Sequence, residues 1–316
     1  MFRSVTGTPH GNLCILLYNF CAFAMQMPLG IIADRLNRNY LVAVAGCVLA
    51  GAAFGFANIP VAATVVIGLG NALFHLGGGI DVLNISGEKL SALGIFVSPG
   101  AFGIYLGTIL GKGSVFPAIF FPIALVAAAV LIFISYKAQR GTYPRNAAFT
   151  LEGAGSGQML PAIVLFFLVV CLRSYVGLAL DFPWKSSGYW GVALICAVVF
   201  GKTLGGFTAD SYGLRRTASV SLCMAALCFL FPDIPLVGVA SVLLLNMTMP
   251  LTLWAMAKIM PGAKGFSFGL LTFGLFLGFL PVYFGADVSP VSSWLFTLFA
   301  ALSLVLLQAG LRKAKL

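Results

Sequence analysis

The sequence predicts an all-α, polytopic membrane helical bundle of two pseudo-symmetric halves. Three observations carry that prediction. Hydrophobic residues make up 60% of the chain and charged residues 8%, with a mean hydropathy of +1.05, far from the usage of soluble domains. Apolar runs of about 18 to 23 residues recur along the chain, each long enough to cross a bilayer as a helix. A short charged phrase occurs twice, each copy closing one apolar run and preceding another.

The first copy reads Gly30-Ile31-Ile32-Ala33-Asp34-Arg35-Leu36-Asn37-Arg38, and the second Gly206-Phe207-Thr208-Ala209-Asp210-Ser211-Tyr212-Gly213-Leu214-Arg215-Arg216. Asp34 and Asp210 stand 176 residues apart, Gln26 with Lys202 and Ser91 with Ser267 keep that offset, and Asn71 with Asn246 keeps it within one residue. Two similar halves with matching loop chemistry point to a transporter whose halves rock against each other.

Eleven helices are expected. The first half (1–137) holds spans near 13–33, 40–58, 61–79, 93–112 and 115–136. The second half (158–316) holds spans near 158–181, 188–208, 216–232, 234–256, 265–285 and 291–311. Residues 138–157, with Arg140-Gly141-Thr142-Tyr143-Pro144 and a Gly/Ser-rich stretch, form a flexible cytoplasmic linker. Gly and Pro inside the spans are tolerated because neighbouring helices re-satisfy the backbone. The repeat offset places the partner of the 158–181 helix ahead of Met1, so a first helix is expected to be missing, through truncation or a mis-assigned start. A natural eleven-helix variant is the alternative.

The net charge of +10 does not signal nucleic acid. Thirteen of the 18 Lys and Arg residues fall in alternate loops or at the C-terminus, while the opposite loops carry Lys112 and Lys185. This asymmetry makes the basic loops and the C-terminus cytoplasmic in a multi-pass cell (inner) membrane protein. Trp184, Trp190 and Trp294 lie near outer helix ends, as an interfacial belt places them. All seven cysteines fall in apolar spans without CxxC or Cys/His spacing and read as small hydrophobes. No signal peptide is evident.

The charged phrase resembles the loop between the second and third helices of the major facilitator superfamily, Gly-x-x-x-Asp-Arg/Lys-x-Gly-Arg. Gly30, Asp34, Arg35 and Arg38 match it. Asn37 stands where the family has Gly, and Asn tolerates the left-handed backbone. The second copy keeps Gly213 but has Ser211 in place of the first basic residue. The likeness covers the whole chain apart from the absent helix. It implies that Asp34, Arg35, Arg38 and Asp210 form a cytoplasmic gate that locks in one state and breaks in the other. Physically, a carboxylate at a helix end can hold the positive N-terminus of a neighbouring helix. The alternative is that these charges only set topology.

Gly103, Gly107 and Gly111 recur every four residues, so they share a face and are expected to let backbones pack closely. With Ser98-Pro99-Gly100 before them they resemble, loosely, the fifth-helix signature of family exporters, which favours export slightly. Gly265/Gly269 and Gly274/Gly278 read the same way.

Ionisable residues deep in a span are costly and usually face an aqueous path. His75, Arg173 and Lys202 qualify. Lys202 lies about 12 Å from the Asp210 end of its helix, and Arg173 about 18 Å from Pro161. Neither snorkels easily from there. Asn71 and His75 share one helix face. In the family's architecture their helix borders the central cavity, as do those of Arg173 and Asn246. Phe74-His75 also resembles, locally, exporters of the fosmidomycin-resistance type. His75 is a candidate for proton coupling, a packed histidine being the alternative.

All eight acids are expected at helix ends or in loops. Two embedded cations without an embedded acid favour an anionic solute. No Ser/His/Asp set, metal spacing or phosphate loop is present, so an enzyme is not expected, and no cofactor is called for.

The sequence is therefore read as a secondary transporter, by antiport or efflux, of a small anionic organic solute. Arg173 and Lys202 would bind the solute, with His75, Asn71, Gln26 and Asn246 as polar contacts. The partners are the solute, a proton as candidate coupling ion and the lipid bilayer; a monomer and no nucleic acid are expected. Two alternatives stand: a transport-dead receptor or assembly partner, and an exporter of apolar or cationic drugs with Arg173 and Lys202 merely structural.

Overall fold

A computed structural model describes residues 9–113, 117–139, 147–150, 159–285 and 293–316. Much of the expected linker lies outside these residues. Every regular element among them is helical. In chain order they are α1 (Pro9–Asn19), α2 (Gln26–Leu36), α3 (Asn39–Ala52), α4 (Pro60–Ile85), α5 (Ser91–Val97), α6 (Gly100–Gly113) and α7 (Phe120–Ala138). There follow α8 (Met159–Ala179), α9 (Trp190–Tyr212), α10 (Leu214–Cys228), α11 (Pro235–Asn246), α12 (Thr248–Ile259), α13 (Lys264–Tyr283) and α14 (Ser293–Lys313).

Several neighbouring helices are single spans broken at prolines. A proline cannot donate to the carbonyl four residues back, so the ladder fails there. Pro28 falls four residues after Ala24, where a π turn (Phe20–Ala24) joins α1 to α2. Pro250 falls four residues after Asn246, where α11 gives way to α12. Pro99 separates α5 from α6.

Joined in this way, ten spans among the described residues are long and apolar enough to cross a membrane, one fewer than expected. The difference falls at 216–232. There α10 has 15 residues, about 22 Å of rise and short of a full hydrocarbon core. It stops because Phe229–Phe231 turn ahead of Pro232.

The contacts gather the chain into two compact units. The first comprises Met1–Ile85, Leu106–Thr150 and Pro261–Phe276, and the second Ser86–Tyr105, Leu151–Met260 and Leu277–Leu316. These units do not follow the sequence halves: 86–105 and 261–276, which start 175 residues apart, are exchanged between them. The exchanged pieces are repeat counterparts.

Within the first unit, α3 and α4 cross at close range. A side chain at Gly46, Gly70 or Gly77 would collide with the facing backbone at Phe74, Ala50 or Ala43. Without a hydrophobic drive between helices in lipid, such small-residue seams supply the packing. Within the second unit, Gly201 and Gly205 of α9 press on the Leu243 and Met247 carbonyls. At the Trp190 end of α9, Phe182 stacks on Trp184 with centroids 4.6 Å apart, and Trp184 donates Nε1–H to the Pro232 carbonyl at 2.7 Å.

Candidate functional site

The two charged phrases do the same local work, each inside its own unit. Asp34, 2% exposed near the end of α2, accepts backbone N–H bonds from Gly265 (2.8 Å) and Phe266 (2.9 Å) in the first turn of α13. Asp210, near the end of α9, accepts from Leu90 (2.7 Å) and Ser91 (3.0 Å) at the start of α5. Helix starts expose unpaired N–H groups and partial positive charge, so a carboxylate satisfies both at once. Close approach makes this possible: a Cβ at Gly30 would strike the Gly265 carbonyl, and one at Gly206 the Leu90 carbonyl. Further along the same crossings, Gly269 rests on the Gln26 carbonyl and Gly94 on the Lys202 carbonyl.

Around the first phrase, Asn37 adopts the left-handed conformation expected of it, φ 48 and ψ 38. Arg35 places its guanidinium over the Phe149 ring, 5.1 Å from the centroid. Arg38 opens α3. In the second phrase Arg215 bonds the Leu316 carbonyl.

Arg173 and Lys202 both lie in the second unit. Arg173 is 7% exposed, and its Nη1 reaches only the Thr252 hydroxyl, at 3.4 Å. Lys202 is half-buried, and its Nζ donates to the Val97 carbonyl at 3.3 Å. Among the described residues neither Arg173 nor Lys202 has a carboxylate partner, whereas Lys185 pairs with Asp181 and Lys258 with Glu88. A buried charge without a counter-charge is costly and invites an anion. Beside Lys202, Ser98 and Thr203 share a hydroxyl bond of 2.7 Å, so Ser98, Thr203 and Thr252 join the polar surroundings. Small hydroxyl residues in apolar helices carry little sequence signal of this.

The other expected contacts fare differently. Asn246 is half-buried at the α11–α12 break, donates to the Val242 carbonyl at 2.9 Å and packs beside Gly201. Asn71 and His75 are half-buried on α4 in the first unit, and His75 meets the Phe74 ring edge-on at 5.5 Å. Gln26 departs from the expectation of a solute contact. It is 1% exposed, walled in at the α2–α13 crossing, with its amide bonded to the Ala22 carbonyl.

The expected packing role of Gly103, Gly107 and Gly111 is not found. A Cβ at any of the three would meet nothing within 4 Å among the described residues. Spacing shows that they share a face, not what faces them. The close crossings fall instead at glycines such as Gly265, Gly269 and Gly278, the last against Cys171 and Ser174 of α8. Asp81 is a further correction. It lies inside α4, four residues before its end, not beyond the helix. Its carboxylate is hydrogen-bonded by Asn39, and its Oδ1 is buried without a hydrogen-bond partner.

No family model matches the sequence, and no curated protein is similar to it. Solved structures do resemble it. The Escherichia coli fucose:proton symporter FucP (N162A) superposes with a TM-score of 0.70 at 13% identity, covering 94% of this chain and 90% of that one. The human organic anion transporter MFSD10 gives 0.68 at 16% identity, covering 95% and 83%. A bacterial homologue of the iron transporter ferroportin, in an outward-facing state, gives 0.62 at 15% identity, covering 99% and 92%. FucP is a major facilitator superfamily transporter. The chain has the multi-pass helical fold of the major facilitator superfamily transporters.

Proposed function

We propose that the chain is a secondary membrane transporter that moves a small organic anion by alternating access. The observation that carries this reading is the buried Arg173 and the half-buried Lys202, both in one unit and without a carboxylate partner among the described residues. A solute carboxylate, phosphonate or sulfonate supplies the missing charge, and Arg offers the planar fork that such groups bind. That one structural neighbour is an organic anion transporter agrees with this chemistry. Thr252, Ser98, Thr203 and Asn246 supply neutral hydrogen bonds around the cations. Asn71 and His75 remain proposed polar contacts on the strength of their helix face and the family resemblance. His75 is the candidate proton carrier, and another neighbour is a proton symporter.

In the same reading the repeat halves, 1–137 and 158–316, are the bodies that move. Asp34 and Asp210 release the starts of α13 and α5 when the cytoplasmic gate opens. The protein would lie in the cell membrane with its C-terminus inside.

Flux tests the reading. Purified protein in liposomes is to be assayed for uptake of radiolabelled benzoate, a neutral sugar and tetraphenylphosphonium. Saturable benzoate flux, lost in Arg173→Gln and Lys202→Gln, is the expected result. Flux of the cation alone supports the drug exporter, and binding without flux of any solute supports the receptor.

A further inference from the structure

The second unit contains a cavity further along α9 from the two cations. At the Asp210 end, α5 and α9 are pressed together, with Gly94 and Gly206 allowing contact. Ser98 and Thr203 are the last side chains to bridge them. Pro99 then breaks the helix, and Gly100 and Gly103 at the start of α6 meet nothing within 4 Å. The two elements part there. Towards the Trp190 end of α9 they flank a cavity of about 610 Å³, with Tyr105 on the α6 side and Val192, Leu194 and Ile195 on the α9 side. Phe182 helps to line it. A cavity of this size with mostly apolar walls is the usual form of a small-molecule site.

Lys202 does not line the cavity itself; it lies further along α9, at the close crossing with Gly94, where its ammonium bonds the Val97 carbonyl. Gly191, Ile195 and Lys202 fall at helical spacings of four and seven, so they share one stripe of α9. From Ile195 to Lys202 the rise is about 10 Å, and from Gly191 about 16 Å. The rim carries Lys185 and Asp181, an exposed pair 3.2 Å apart whose charges cancel. Such pairs contribute little and select neither sign. The unmatched charge nearest the cavity along α9 is therefore Lys202, beyond its lining.

We propose that this groove seats the apolar part of an amphipathic organic anion. The anionic group is held at Lys202, and the hydrocarbon or aryl part extends along α9 into the cavity beside Tyr105, Val192 and Ile195. The inference rests on the anion reading above and narrows its solute class from any small anion to one with an apolar arm of about 10–16 Å.

The test uses the full chain in phosphatidylcholine nanodiscs, so that no detergent competes for the groove. Thermal stability is titrated with butyrate, hexanoate, octanoate, decanoate and dodecanoate, with decanol and decyltrimethylammonium beside them. Affinity is expected to rise up to about fourfold per added methylene, the gain of burying each one, and to level off once the groove is filled. Ile195→Trp and Val192→Trp, which fill the cavity from two positions, flatten that rise. Lys202→Gln weakens every carboxylate by a similar factor. If the tryptophan variants do not purify as monodisperse protein, Ile195→Ser is measured instead and must also reduce the slope. Carboxylate binding that needs Lys202 but is flat with chain length overturns the groove and leaves the anion reading standing. A slope equally steep in wild type and the cavity variants also overturns it, because the chains then partition into lipid. Binding of the alcohol or the ammonium as tight as that of decanoate overturns the anion reading itself.

Discussion

Asp34 and Asp210 are equivalent helix clamps 176 residues apart in sequence. Each lies near the end of one helix and accepts two backbone N–H bonds from the start of another: Asp34 from α13, Asp210 from α5. Each clamp crosses the sequence repeat, joining a helix of one half to a helix start of the other. The chemistry is that of an N-cap, supplied from outside the helix that is capped.

The two clamps differ in exposure, which gives a first prediction. Asp34 is buried and Asp210 exposed. Asp34→Ala leaves buried donors unsatisfied and is expected to cost about 1–3 kcal/mol. Asp210→Ala, which removes one part-buried and one exposed bond, is expected to cost about 1 kcal/mol or less. Thermal unfolding of the two variants should rank them in that order; equal losses would mean that the burial difference has no energetic weight.

Glycine positions give a second. Gly269→Ala drives a Cβ into the Gln26 carbonyl and is expected to destabilise by about 1–3 kcal/mol, as overpacking does. Gly103→Ala and Gly107→Ala meet no neighbour, and each should stay within about 0.5 kcal/mol of wild type. Melting temperatures in one detergent check the contrast. A large loss at Gly103 would show that its face is covered in the working protein.

The tryptophans separate anchoring from packing. Trp184→Phe removes both the outer indole atoms that face Gly238 and the bond to the Pro232 carbonyl, an expected cost of about 1–3 kcal/mol. Trp294 is 69% exposed, and Trp294→Phe should change stability by less than about 0.5 kcal/mol. Denaturation midpoints of both variants decide the point.

Much of this was legible in the sequence, for identifiable reasons. Charges are so rare in the chain that Asp34 and Asp210 stand out, and their equal spacing marks the repeat. Asn37 takes the left-handed turn because a glycine-like position leaves few other choices. The exchange of helix starts was not legible, because no local pattern tells which helix start a carboxylate will find. Gln26 reads as a solute contact by its repeat partner Lys202, yet its backbone is where α13 comes closest, so its side chain is enclosed. Asp81 was displaced because Gly77-Gly78-Gly79 looks like a helix end. In lipid, glycines continue a helix when neighbours pack on them, and Ile80, Val82, Leu83 and Ile85 carry α4 onward.

The proposed function of Arg173 and Lys202 is to bind an anionic solute. Its most direct measurement is the thermal stability of wild type, Arg173→Gln and Lys202→Gln against matched anionic, neutral and cationic aryl solutes. At 100 times its dissociation constant a ligand stabilises the folded state by about 2.7 kcal/mol. The account predicts stabilisation of wild type by the anions alone, lost in both variants. Stabilisation by cationic or neutral solutes that survives both substitutions would contradict it and make the two cations structural.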